Sequence, residues 1–189
     1  TSEPTTPTSE PTTPTSEPTT PTIEPTTPTT SPTIPVIPNE DFEAGTTSWI
    51  LNGPSIINSP TDAHSGSYYV LFGGPGPSRQ SMYIELTVTS EAPYLTFWSK
   101  TVSSQDKCFE DASYIAIDTD LTDSFPGSVR FAWYDFCASK QHDYRLESLN
   151  LTSFVGQTIG IEFFLLTTSD KLSTWSIDDI EFRNTLDLD

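Results

Sequence analysis

The sequence is poor in cysteine, in positive charge and in long apolar runs. Cys108 and Cys137 are the only cysteines in 189 residues. No CxxC and no Cys/His cluster is present, which argues against a zinc framework. The two histidines, His64 and His142, sit in a Ser-Gly turn and a polar stretch. No Gly-x-Ser-x-Gly elbow offers either of them a nucleophile. Lys and Arg number 8 against 26 Asp and Glu, a formal charge of −18. So acidic a surface repels phosphate backbones and anionic headgroups, so nucleic acid is not an expected partner. No run of about 18 apolar residues occurs, so no membrane insertion is expected. Gly73-Gly74-Pro75-Gly76-Pro77 lacks the Lys and the following helix of a phosphate loop and reads as turn chemistry.

Glycine is absent from residues 1–38, where 11 of the 17 prolines lie. Thr-Ser-Glu-Pro-Thr-Thr-Pro runs from Thr1, Thr8 and Thr15, and two variants follow from Thr22 and Thr29. A period of seven without an apolar a/d seam cannot be a coiled coil. Proline every few residues favours polyproline II with no core to form. Extended, the stretch reaches at most ~118 Å. Thr and Ser beside Pro is the composition of O-glycosylated stalks and linkers. Residues 1–38 therefore read as a disordered Pro/Thr/Ser/Glu spacer, and 39–189 as one domain. The chain begins within a repeat and without Met or signal peptide, as expected of a piece of a larger protein. With 8 basic and 22 acidic residues, 39–189 alone carries −14.

Period-two alternation dominates that domain. Met82, Ile84, Leu86 and Val88 alternate with Tyr83, Glu85 and Thr87. Leu95 and Phe97 alternate with Tyr94, Thr96 and Trp98. The same pattern marks 114–118, 129–134 and 159–165. About nine or ten short strands predict an all-β, two-sheet antiparallel sandwich. In the last strand the alternation breaks. Trp175 and Ile177 share one parity, Ile180 and Phe182 the other. A β-bulge at Asp178-Asp179 would return all four to the core side. Two carboxylates at such a kink need a cation or a set of backbone N–H donors.

The cysteines fit a hairpin between 114–118 and 129–135. If Ile115 faces Arg130, Cys108 falls opposite Cys137, within range of a disulfide. That bond implies an oxidising, extracytoplasmic setting.

Four pieces then stand in order: Phe42-Glu43-Ala44-Gly45 before Trp49; His64-Ser65-Gly66-Ser67-Tyr68; Tyr94-Leu95-Thr96-Phe97-Trp98; and Val155-Gly156-Gln157 through Phe163 with Trp175…Ile177-Asp178-Asp179-Ile180. The set resembles the extracellular jelly-roll modules that include MAM domains, galactose-binding-like domains and carbohydrate-binding modules. It departs from MAM domains in having a single, mid-chain cysteine pair. The resemblance implies a jelly-roll sandwich on a secreted or cell-surface protein. It also implies a structural calcium ion (Ca2+) held by Glu43 and Asp179, with Asp178, Asp41 and carbonyls near residues 65–67 as further ligands. Calcium takes six to eight oxygens and relieves clustered carboxylates.

Carboxylates are plentiful, but nothing marks a glycosidase pair, and catalysis is not expected. Sugar recognition needs exposed rings and a few polar groups. The off-core parity supplies Tyr83, Tyr94 and Trp98, with Tyr134 out of phase beside them and Arg130 as a polar candidate. The expected function is a non-catalytic, lectin-like module for a polysaccharide or glycoprotein glycan. A MAM-like adhesion module for other surface proteins and a passive spacer are the alternatives.

Overall fold

In the computed structural model the described residues are 1, 36–122 and 129–185, without the side chains at 129–131 and 133. The expected spacer lies outside them apart from Thr1 and residues 36–38. Of these, Ile37 is buried in the core, so the packed chain starts two residues before Asn39.

Ten strands form among the described residues: β1 (Ile50–Asn52), β2 (Ser55–Asn58), β3 (Tyr68–Pro75), β4 (Ser78–Thr87), β5 (Tyr94–Ser103), β6 (Asp111–Asp118), β7 (Val129–Phe136), β8 (His142–Asn150), β9 (Thr158–Thr167) and β10 (Leu172–Arg183). They make two five-stranded sheets, β1-β4-β9-β6-β7 and β2-β3-β10-β5-β8. Every pairing is antiparallel. The alternation of each strand decides which side faces the other sheet. Met82, Ile84 and Leu86 from β4 meet Leu95 and Phe97 from β5 in one core. Trp175 is its centre, with the rings of Phe72, Tyr134, Phe163 and Phe97 at 5.4, 5.7, 6.0 and 6.5 Å.

The parity break in the last strand is a β-bulge. Against β5 the register runs Asp178↔Trp98 and then Glu181↔Thr96, one residue longer on β10. Asp179 takes a left-handed φ of 46°, which an Asp tolerates better than most residues. Trp175, Ile177, Ile180 and Phe182 all end up buried. The bulge also turns the N–H of Ile180 toward Glu40 O, 3.0 Å away. The entry segment is thereby fastened to the last strand.

Cys108 and Cys137 are bonded, but not across the expected register. The hairpin pairs Ile115 with Ala132 rather than Arg130, and slips between Ile115 and Ala116. The bridge closes outside the ladder, where Phe109 turns the chain with φ 72°. The same slip leaves Phe131 without a partner between Ala132 and Arg130. One extra residue reverses parity, and Tyr134 points inward onto Trp175. Tyr134 is thus a core side chain and not part of a surface platform; burial raises the pKa of its hydroxyl.

Candidate functional site

Two places gather chemistry. The first is the turn before β3, where residues far apart in sequence meet. Asp178, fully buried, accepts the N–H groups of His64 (2.9 Å) and Ser65 (3.3 Å) on Oδ2 and that of Asp179 (2.9 Å) on Oδ1. Burial, and then the charge of Asp179, push its carboxyl up to about 7, while the three N–H donors oppose the shift. Asp179 holds Ser65 Oγ–H (2.7 Å) and His64 Nδ1 (2.5 Å) on its two oxygens. Glu43 Oε1 accepts from Ser67 N (2.6 Å) and Tyr68 N (2.8 Å). Gly66, with φ 58°, leaves room for that carboxylate, because a Cβ there would collide with Oε1. Asp41 stays apart, accepting the N–H of Glu43 within its own turn.

Glu43, Asp178 and Asp179 all bond to the turn at residues 64–68, and its backbone N–H groups are a large part of what they hold. The set fits a calcium ion only in part. Glu43 Oε1 and all four oxygens of Asp178 and Asp179 already accept hydrogen bonds from the protein. Among the described residues no group of three or more His, Cys, Asp or Glu side chains is arranged to hold a metal. Nor is this a hydrolase triad. Ser65 gives its hydroxyl proton to Asp179 and not to His64, so no imidazole stands ready to activate it.

The His64 ring stacks on Trp98 at 3.8 Å and 15°. Trp98 therefore has one face covered by this turn. It lies with Tyr94 on the outer side of β5, in the sheet β2-β3-β10-β5-β8. Tyr83 lies on the outer side of the other sheet. Tyr83, Tyr94, Trp98 and Tyr134 thus belong to three separate surroundings and form no common platform.

The second place is the outer face of the sheet β1-β4-β9-β6-β7. Its registers set side chains in rows across the strands. One row runs Ser81, Phe164, Tyr114 and the position of Trp133. The next runs Ile50, Tyr83, Glu162, Ala116 and the position of Arg130. The Arg130 side chain lies outside the described residues, but its backbone shares a row with Tyr83. Tyr114 and Phe164 stack at 4.5 Å and 21°, and the Arg79 guanidinium lies 5.0 Å from the Phe164 centroid. Phe164 is consequently buried, whereas Tyr114 is half-buried. Half-burial raises the Glu162 carboxyl pKa, opposed by a hydrogen bond from Ser81 and the charge of Arg79.

Small residues form the floor here. Gly160 leaves space for the Tyr83 ring, which a Cβ would strike. Tyr83 Oη donates to Glu85 at 3.2 Å; burial first, and then Glu85, push its hydroxyl up to about 12. At the β1 edge an open cleft of ≈ 450 Å³ is lined by Pro38, Ser48, Ile50, Tyr83, Ile84 and Glu85. The face thus offers rings, carboxylates, an arginine and a recess together. Tyr114 and Phe164 carry the same off-core alternation that singles out Tyr83. What the sequence does not say is that β4, β9 and β6 are neighbours.

No protein-family model matches the sequence, and no curated protein matches it. Solved structures do match its fold. One is TmCBM61 in complex with β-1,4-galactotriose, with a TM-score of 0.55, 14% identity, and coverage of 77% of this chain and 95% of that one. Another is the K1 cleaved adhesin domain of Lys-gingipain from Porphyromonas gingivalis W83, with a TM-score of 0.57, 16% identity, and coverage of 77% and 96%. A third is CBM28, a carbohydrate-binding module specific for non-crystalline cellulose, at 0.50, 14%, 79% and 95%. The fold of this chain is that of the β-sandwich modules to which these carbohydrate-binding and adhesin domains belong.

Proposed function

We propose that this chain is a non-catalytic carbohydrate-binding module of an extracellular protein, and that it holds a neutral glycan on the outer face of the sheet β1-β4-β9-β6-β7. The observation that carries the reading is the half-buried Tyr114 ring, backed by the buried Phe164 ring, beside the row with Tyr83 and Glu162. A pyranose lays its apolar C–H face on a ring, and carboxylates accept from its hydroxyls. The similarity to modules described with galactotriose and with non-crystalline cellulose supports the class of ligand. The Cys108–Cys137 bond supports an oxidising setting. Among the described residues no helix is long and apolar enough to cross a membrane. The likeness to a cleaved adhesin domain favours adhesion to surface proteins as the second reading.

The test is affinity electrophoresis and a glycan array with variants of each face. Tyr114→Ala and Tyr83→Ala should each weaken retention about tenfold, roughly 1.4 kcal/mol. Tyr94→Ala, on the other sheet, should leave retention unchanged. The reverse order would move the site to the other sheet, and no retained glycan would remove this reading in favour of adhesion.

Calcium belongs to the proposal as an additional partner of Glu43 and Asp179, supported by the bonding of both carboxylates to the turn at residues 64–68. It would neutralise their repulsion and tie the entry segment to β10. A cation that binds only the folded chain stabilises it by about 2.7 kcal/mol at a hundred times its dissociation constant. Melting in chelator should therefore fall below melting in millimolar calcium. Identical curves would remove the ion from this account.

A further inference from the structure

We propose that Phe109 is an outlying sugar-stacking residue that extends the outer-face site, so that the module prefers a long oligosaccharide to a short one. The inference rests on the carbohydrate reading above and adds a residue and a chain-length preference to it.

Phe109 is doubly out of place. Its side chain is 77% exposed, and its backbone holds a φ of 72°. A left-handed conformation is sterically disfavoured for a bulky residue and is kept only where its surroundings enforce it. Here the enforcement is covalent. Cys108, the residue before it, is bonded to Cys137. The disulfide thus presents an aromatic ring to solvent on a pinned turn.

The surroundings of the ring select the kind of ligand. Lys140 Nζ lies 5.3 Å from the ring centroid and is also bonded to Asp135 Oδ2 at 2.8 Å. Lys107 and Glu110 are paired beside the turn at 3.9 Å. Insertion into an apolar protein pocket would have to strip water from this ammonium–carboxylate pair, which is costly. A pyranose needs only the open side of the ring, and its hydroxyls find donors and acceptors at the rim.

The turn also lies in line with the proposed site. Asp135, which holds Lys140, pairs with Ala112, two residues along β6 from Tyr114. Phe109 and Tyr114 are five residues apart, at most about 17 Å of extended chain. An oligosaccharide can span that length of chain.

The experiment is isothermal titration of the full chain with β-1,4-galacto-, xylo- and cello-oligosaccharides, each from disaccharide to hexasaccharide. Wild type should bind more tightly as the ligand lengthens. Phe109→Gly should lose about tenfold on the hexasaccharide and nothing on the disaccharide. Phe109→Tyr should keep the wild-type profile. Because glycine adopts a positive φ freely, Phe109→Gly should melt at or above the wild-type temperature. Equal affinities of wild type and Phe109→Gly at every length would overturn the inference while leaving the outer-face site standing. A melting temperature several degrees lower for Phe109→Gly would show the ring to be structural and would overturn it too. If wild type binds none of these sugars, the carbohydrate reading fails and the inference falls with it.

Discussion

Replacing both Cys108 and Cys137 with serine is expected to lower stability by about 3–4 kcal/mol. The bond spans a sequence separation of 29. On the chain-entropy account, releasing a loop of that size returns roughly this much freedom to the unfolded chain. For a domain of about 150 residues the melting temperature should fall on the order of 10 °C. The ladder pairs from Asp111↔Phe136 to Ile115↔Ala132 lie inside the bridge and do not depend on it for their hydrogen bonds. The domain should therefore still fold, with the turn at Phe109 released. Thermal unfolding of the variant, with reduced wild type beside it, checks this. A loss below about 1 kcal/mol would mean the turn is held by its packing alone. Such a result would also remove the reason given for the exposed, left-handed Phe109.

How far the sequence could be read depended on whether the deciding contact was local. The bulge in β10 was legible because Trp175, Ile177, Ile180 and Phe182 contradict one another within a single strand. The disulfide was legible although its register was not. Cys108 and Cys137 flank the same hairpin, and a turn outside the ladder absorbs the error of two residues. Tyr134 was misplaced because the unpaired Phe131 position reverses parity inside β7, and nothing in the neighbouring residues marks it. Trp98 shows the other kind of limit. Its alternation correctly puts it outside the core, yet His64, from the turn before β3, lies on it. The outer-face row of Phe164 and Tyr114 needed the strand order β4-β9-β6, a fact of topology and not of any one segment. Fold class follows from periodicity, whereas a site assembled from three strands follows from their order.

Asp178→Ala should cost about 3 kcal/mol, and the cost should shrink as pH rises. The side chain is the common acceptor for the N–H groups of His64, Ser65 and Asp179. Removing it leaves these donors orphaned beside a buried strand, at about 1–3 kcal/mol for each that water cannot reach. The pH dependence has a definite sign. The folded-state pKa of Asp178, pushed up to about 7, lies above its ordinary 3.8. A group raised in this way favours the folded state fully below its unfolded pKa and loses that contribution as pH rises through the folded one. Measured in chelator, the stability difference between wild type and Asp178→Ala should therefore be largest near pH 4 and decline toward pH 7. A calcium ion at Glu43 and Asp179 would oppose that decline. Its charge would favour the ionised carboxylate and draw the Asp178 pKa down, so in millimolar calcium the difference should decline less, or stay level, over the same range. Denaturant titrations at a series of pH values, with and without calcium, separate the two states of the turn. A difference that stays level with pH in chelator would mean that the three N–H donors outweigh burial and the charge of Asp179. The turn would then hold an ionised Asp178 by hydrogen bonding alone, and the β10 bulge would need no cation to be stable.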